Sequence, residues 1–112
     1  MNDETPRHTP FCIVLTTLPD AAQADSLARQ IVEAGLGACV QVQAIQSYYR
    51  WKGETCAEPE WRLCIKTRKA QYPQLEAFIR ARHPYEVPQI VMVPITGGSA
   101  DYLQWVASGS AE

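Results

Sequence analysis

The side chains able to do chemistry are few. The 112-residue sequence has two histidines, His8 and His83, and four cysteines, Cys12, Cys39, Cys56 and Cys64. No two cysteines form a C-x-x-C pair and each lies in or beside an apolar stretch, which is the pattern of reduced thiols and not of a disulfide frame or a zinc knuckle. Covalent catalysis needs a nucleophile, a base beside it and a third group that orients the base. With His8 in a polar opening stretch, that set is missing, and neither G-x-S-x-G nor a glycine-rich phosphate loop occurs. Gly97-Gly98 stands between a strand and a helix start and reads as a turn. The chain is therefore expected to bind and not to catalyse.

The polar residues that could line a site cluster in the middle of the chain. Glu54, Glu58 and Glu60 form the close acidic group. Glu60 and Lys66 share strand parity, so an acid and a base would face the same way, over an apolar floor supplied by Trp51 and Tyr85. These four residues are the expected ligand-binding cleft. The same acid and base leave open an enzyme working between subunits, with Glu60 and Lys66 as its pair.

The elements that must position these groups follow from periodicity. Residues 11–17 are a continuous apolar, β-branched run, predicted as a strand buried on both faces. Asp20 with Gln23 makes a capping-box-like helix start, Ala24, Leu27, Ala28 and Ile31 recur at helical spacing, and Gly35 ends the helix. From Val40 to Trp51 the pattern alternates, with a phase slip between Ala44 and Ile45 that predicts a bulge or a bend. The turn at residues 51–54 leads into a second alternating strand through Trp61, Leu63 and Ile65. A helix is predicted over 70–82, stopped by His83-Pro84. A strand follows over 90–95, with Pro94 confining it to an edge or a bulge, and a short helix over 99–107.

This order, β-α-β-β-α-β plus a helix, predicts an α+β, ferredoxin-like split βαβ fold with an antiparallel sheet, an extended hairpin between the second and third strands, and a C-terminal helix. Residues 11–107 are expected to form one domain, with a flexible N-terminal tail over 1–10 and a frayed C-terminal tail over 108–112.

Composition narrows the partners. Forty-six per cent hydrophobic and 20% charged residues describe an ordinary globular chain with one core. A formal charge of −2 offers no field for phosphate backbones or anionic lipid, so neither nucleic acid nor membrane is expected as a partner. The polar opening stretch has no apolar region of the signal-peptide kind, so a cytoplasmic location is expected.

The hairpin raises a different question. Two strands of about ten residues would reach roughly 30 Å and overshoot a core of this size. Tyr48, Tyr49, Trp51 and Trp61 would lie on the projecting part, and such an aromatic patch marks an interface or a binding groove. A ring of identical subunits would cover it without open-ended growth.

Six segments in register carry a resemblance: Thr16-Thr17-Leu18-Pro19-Asp20, Leu36-Gly37-Ala38-Cys39, Tyr49-Arg50-Trp51-Lys52-Gly53, Glu60 with Ile65-Lys66-Thr67, His83 to Pro88, and Asp101 to Trp105. In order and spacing they resemble the divalent-cation tolerance family, CutA, over nearly all of residues 11–106. The resemblance implies a tight homotrimer of ferredoxin-like subunits joined through extended hairpins, similar in architecture to the PII signalling proteins. It places the cleft of Trp51, Glu60, Lys66 and Tyr85 between subunits. It also implies a link to tolerance of copper and other divalent metals.

The family's copper contacts, carried over by position, would fall at Thr16, Arg82 and His83. Members that bind copper there use a cysteine and two histidines. Threonine is a poor metal ligand and arginine is none. His83 remains, and Cys39 is a second donor suited to a soft ion such as Cu(I). The expectation is a weakly bound copper or other divalent cation at His83 and Cys39, with no organic cofactor. The implied function is a homotrimeric binding or sensor protein linked to divalent metal tolerance. The alternative is a PII-like trimeric small-molecule sensor with only an indirect metal role.

Overall fold

The structure, a computed structural model, describes residues 9–110. Strand β1 (Phe11–Leu18) leads into helix α1 (Ala21–Glu33), then β2 (Cys39–Trp51), β3 (Glu54–Arg68), a 3-10 turn (Lys69–Gln71), α2 (Tyr72–Arg82), β4 (Val91–Pro94) and α3 (Ala100–Gly109). The strands form one antiparallel sheet in the order β2-β3-β1-β4. This is the predicted split βαβ arrangement. Most of the expected N-terminal tail, residues 1–8, lies outside the described residues, as do 111 and 112.

Local chemistry accounts for the boundaries. Asp20 caps α1 by accepting from Gln23 N at 2.8 Å, and Gln23 Nε2 donates to the other carboxylate oxygen at 2.8 Å, so cap and partner satisfy each other. Lys52 (φ 52°) and Gly53 (φ 81°) form a two-residue turn with both φ values positive, the geometry whose twist matches a right-twisted hairpin. Gly37 lets the chain enter β2 tightly against the core: a Cβ there would lie 2.7 Å from Ile65 Cγ2. His83 is extended (ψ 137°), as a residue before proline must be, and α2 stops.

Alternate residues of β1 and β3 face α1 and α2. Val14, Leu63 and Ile65 pack with Leu27, Ile31, Leu75 and Ile79 in a cluster whose members are essentially inaccessible to solvent. Lys66 and Arg68 alternate to the other side, where α3 meets them. Lys66 Nζ lies 5.5 Å from the Tyr102 ring centre, and Arg68 donates two hydrogen bonds to the Ser110 carbonyl.

Four expectations need correction. β1 is buried on one face only: Ile13 and Leu15 are half-buried, and their β4 partners Val93 and Val91 are each 43% exposed, so a strip of apolar sheet faces solvent in the single chain. No bulge separates Ala44 from Ile45, because β2 and β3 pair without interruption from Cys39↔Lys66 to Trp51↔Glu54. Beyond Ala44 the hairpin leaves the core and neither face is consistently buried, so a phase slip in hydrophobicity no longer reports a backbone feature. Trp61 is not on the projecting part; it pairs with Leu18 and packs on the core. The C-terminal end is no frayed tail at 108–110. α3 runs to Gly109, and the Ser110 carbonyl accepts from Arg68 and Gln71 with its side chain fully buried.

Candidate functional site

β3 outlasts its neighbour. Its pairing with β1 ends at Leu18↔Trp61, so from Glu60 outward that edge of the hairpin has no strand beside it. The segment after α2, residues 83–89, occupies the vacant side. Between this segment and the hairpin lies a cavity of about 640 Å³, within the range of small-molecule sites. Trp51, Glu60 and Tyr85 line it, together with Tyr48, Tyr49 and Glu58.

Strand register explains why these side chains converge. Ile45 opposes Glu60 and Ser47 opposes Glu58, so Tyr49 and Trp51 fall on the same face as both carboxylates. Glu60 is 9% exposed and takes a 2.7 Å hydrogen bond from the Tyr85 hydroxyl on Oε2. Tyr49 OH donates to Glu58 Oε1 at 2.8 Å. That bond pushes the Tyr49 phenol up to about 12, and burial with the Glu60 contact raises Tyr85 further. Both phenols therefore stay protonated and neutral. The Tyr49–Glu58 pair was legible in the two-residue turn, which fixes the register, yet parity alone did not single it out.

Lys66 stands elsewhere. It is six residues from Glu60 along β3, roughly 20 Å at strand rise, and its ammonium lies over Tyr102. Face parity is preserved, but within one chain the acid and the base are not brought together.

His83 anchors the segment that closes the cavity. Its Nε2–H donates to the Thr17 carbonyl at 2.8 Å, and Nδ1 accepts from Tyr85 N–H at 3.2 Å. These two bonds assign a neutral ring with the proton on Nε2. Burial lowers the pKa of His83, against the raising effects of the Thr17 carbonyl and the Glu60 charge. Both ring nitrogens are thus occupied, and no lone pair is left for a metal.

The remaining copper positions do not fit an ion either. Thr16 is fully buried, and among the described residues its Oγ1 has no hydrogen-bond partner. Arg82 donates to Gln30 and to the Phe78 carbonyl, with its guanidinium 3.5 Å from the Phe78 ring centre. Cys39 opposes Lys66 whereas Thr17, which holds His83, opposes Arg62, four residues or roughly 13 Å away along β3. Among the described residues no three His, Cys, Asp or Glu side chains are grouped to hold a metal ion.

Residues 12–109 match the family model of the CutA1 divalent ion tolerance protein. The divalent-cation tolerance protein CutA of Thermus thermophilus is 41% identical over 95 residues, covering 84% of this chain and 92% of its own. The chloroplastic protein CutA of Arabidopsis thaliana is 37% identical over 96% of this chain, which spans only 60% of that longer protein. Among solved structures, CutA1 from the psychrotrophic bacterium Shewanella sp. SIB1 superposes with a TM-score of 0.87 at 40% identity, covering 92% of this chain and 97% of its own.

Proposed function

This chain belongs to the CutA1 divalent ion tolerance family, and from that premise we propose that it works as a homotrimeric small-molecule sensor whose part in divalent metal homeostasis is indirect. The observation that carries this reading is the cavity between the hairpin and residues 83–89, built around the buried Glu60 and bridged by Tyr85. We read this role as a non-catalytic one. Tyr49 and Tyr85 hold their protons and donate to Glu58 and Glu60, and the lining includes neither a cysteine nor a histidine to act as nucleophile or base.

The trimer is supported by the apolar strip of Ile13, Leu15, Val91 and Val93 and by two sheet edges, β2 and β4, that lack a partner among the described residues. A heterologous contact between these two edges pairs both of them, and repeated about a three-fold axis it closes into a ring. Copper binding through His83 and Cys39, the more direct metal role, draws no support from the geometry of one chain.

Light scattering tests the assembly: the expected mass is three times 12.5 kDa, and a folded monomer at micromolar concentration contradicts it. A thermal-shift screen of nucleotides, amino acids, amines and organic acids tests the site. Every stabilising ligand is expected to lose its effect in Trp51→Ala, and shifts that survive that substitution would move the site elsewhere.

A further inference from the structure

The chemical class of the ligand can be read from the walls of the cavity; this step rests on the cavity being the ligand site. Three carboxylates line it, Glu58, Glu60 and Glu86, and no lysine, arginine or histidine does. A cleft lined by charge of one sign raises the local concentration of the opposite ion. Glu60, nine-tenths buried and aimed into the cavity, has only Oε2 occupied among the described residues, which leaves Oε1 to accept from a ligand.

Aromatic rings supply the second, independent observation. Tyr49, Trp51 and Tyr85 line the same space, and Trp51 is 44% exposed. A ring face attracts a cation through its quadrupole, most strongly in tryptophan. Trp51 already shows that preference, since the Lys52 ammonium rests 5.9 Å from its ring centre. We infer that the cleft recognises an organic cation, an alkylammonium or guanidinium group seated among Tyr49, Trp51 and Tyr85 with Glu60 as its counter-charge.

The same walls disfavour a bare metal ion. A divalent cation requires several oxygen or nitrogen donors converging on one point, and the described residues provide no such group. Glu58 and Glu60 are each turned toward a tyrosine hydroxyl instead. Anions meet three carboxylates and no basic residue in the lining. A delocalised or alkylated cation needs no converging donors, only negative charge and ring faces.

The indole N–H resonance of Trp51, followed by NMR in the intact protein, reads occupancy directly. The probes are choline, benzyltrimethylammonium and agmatine as cations, 3,3-dimethylbutanol as the uncharged isostere of choline, citrate as an anion, and zinc chloride as a metal alone. At millimolar concentration the three organic cations are expected to shift the Trp51 signal, with choline binding about tenfold tighter than its isostere. Glu60→Gln should weaken choline by about tenfold and leave the isostere unchanged, because only the charge is removed. Glu58→Gln, which alters a more exposed carboxylate, should weaken it less and keeps the test intact if the Glu60 variant folds poorly. Citrate or zinc shifting Trp51 where the cations do not would overturn the ligand class while keeping the cleft as the site. No shift of Trp51 with any probe would overturn the cleft as well.

Discussion

The Tyr85 hydroxyl donates a 2.7 Å hydrogen bond to Glu60 Oε2, joining the segment after α2 to the middle of β3 across twenty-five residues of sequence. A phenol on a largely buried carboxylate is a charge-assisted contact, stronger than a neutral one. It is the tie that shapes the cavity, since Glu60 stands on the hairpin and Tyr85 on the opposing segment.

Replacing Tyr85 by Phe is therefore expected to destabilise the protein by about 1–2 kcal/mol, because a buried acceptor loses its donor. Urea denaturation at fixed protein concentration measures the change. Loss of ligand binding should accompany it, whereas an unchanged urea midpoint would show that the bond carries no net free energy.

The pH dependence of stability should bear the mark of His83. Burial depresses its pKa from 6.5 in the folded chain, so the unfolded state binds the proton more readily. The corresponding stability is fully present above pH 6.5 and is lost as pH falls from there through the lower, folded pKa. Urea midpoints of the wild type and His83→Asn, compared across this window, isolate the effect: the wild type should decline more steeply. Parallel declines would mean that the neutral, doubly bonded ring is not what the fold selects.

Thr16 offers a stabilising substitution. Its Oγ1 is buried without a partner among the described residues, so Thr16→Val removes an unsatisfied polar atom while keeping the shape. A gain of about 1 kcal/mol is expected. A loss of similar size would reveal a water or a neighbouring chain bonded to that hydroxyl.

Cu(II) is expected to bind weakly, with no submicromolar site in titration calorimetry. His83 has both nitrogens engaged, and Thr16 and Arg82 are turned to the core and to Phe78. Submicromolar binding that disappears in His83→Ala would contradict this, since it would require the ring to leave Thr17 and Tyr85 for the metal.

Much of this molecule was legible in its sequence because it is locally determined. The Asp20 cap, the Lys52-Gly53 turn, the stop at His83-Pro84 and the edge position of Pro94 each depend on a few neighbouring residues. What sequence reading missed depends on distance along an element or on remote partners. Parity put Glu60 and Lys66 on one face but is silent on the six residues between them. His83 was read as a donor because nothing near it in sequence announces the Thr17 carbonyl, sixty-six residues earlier. Ser110 was read as a tail because its anchor is a backbone carbonyl held by Arg68 and Gln71, and no side-chain period records that. Residues 11–17 were read as buried on both faces, yet Ile13 and Leu15 are only half-buried beside the exposed Val91 and Val93, because a continuous apolar run does not reveal what covers its second face.

Native mass spectrometry of the freshly purified protein tests the central claim most directly, because it reports assembly and ligand together. The expected spectrum is a species of three 12.5 kDa chains carrying an organic adduct, released on denaturation and absent from the Trp51→Ala, Glu60→Gln double variant. A single-chain species, or an adduct with the mass of a metal ion that persists in the double variant, would contradict it.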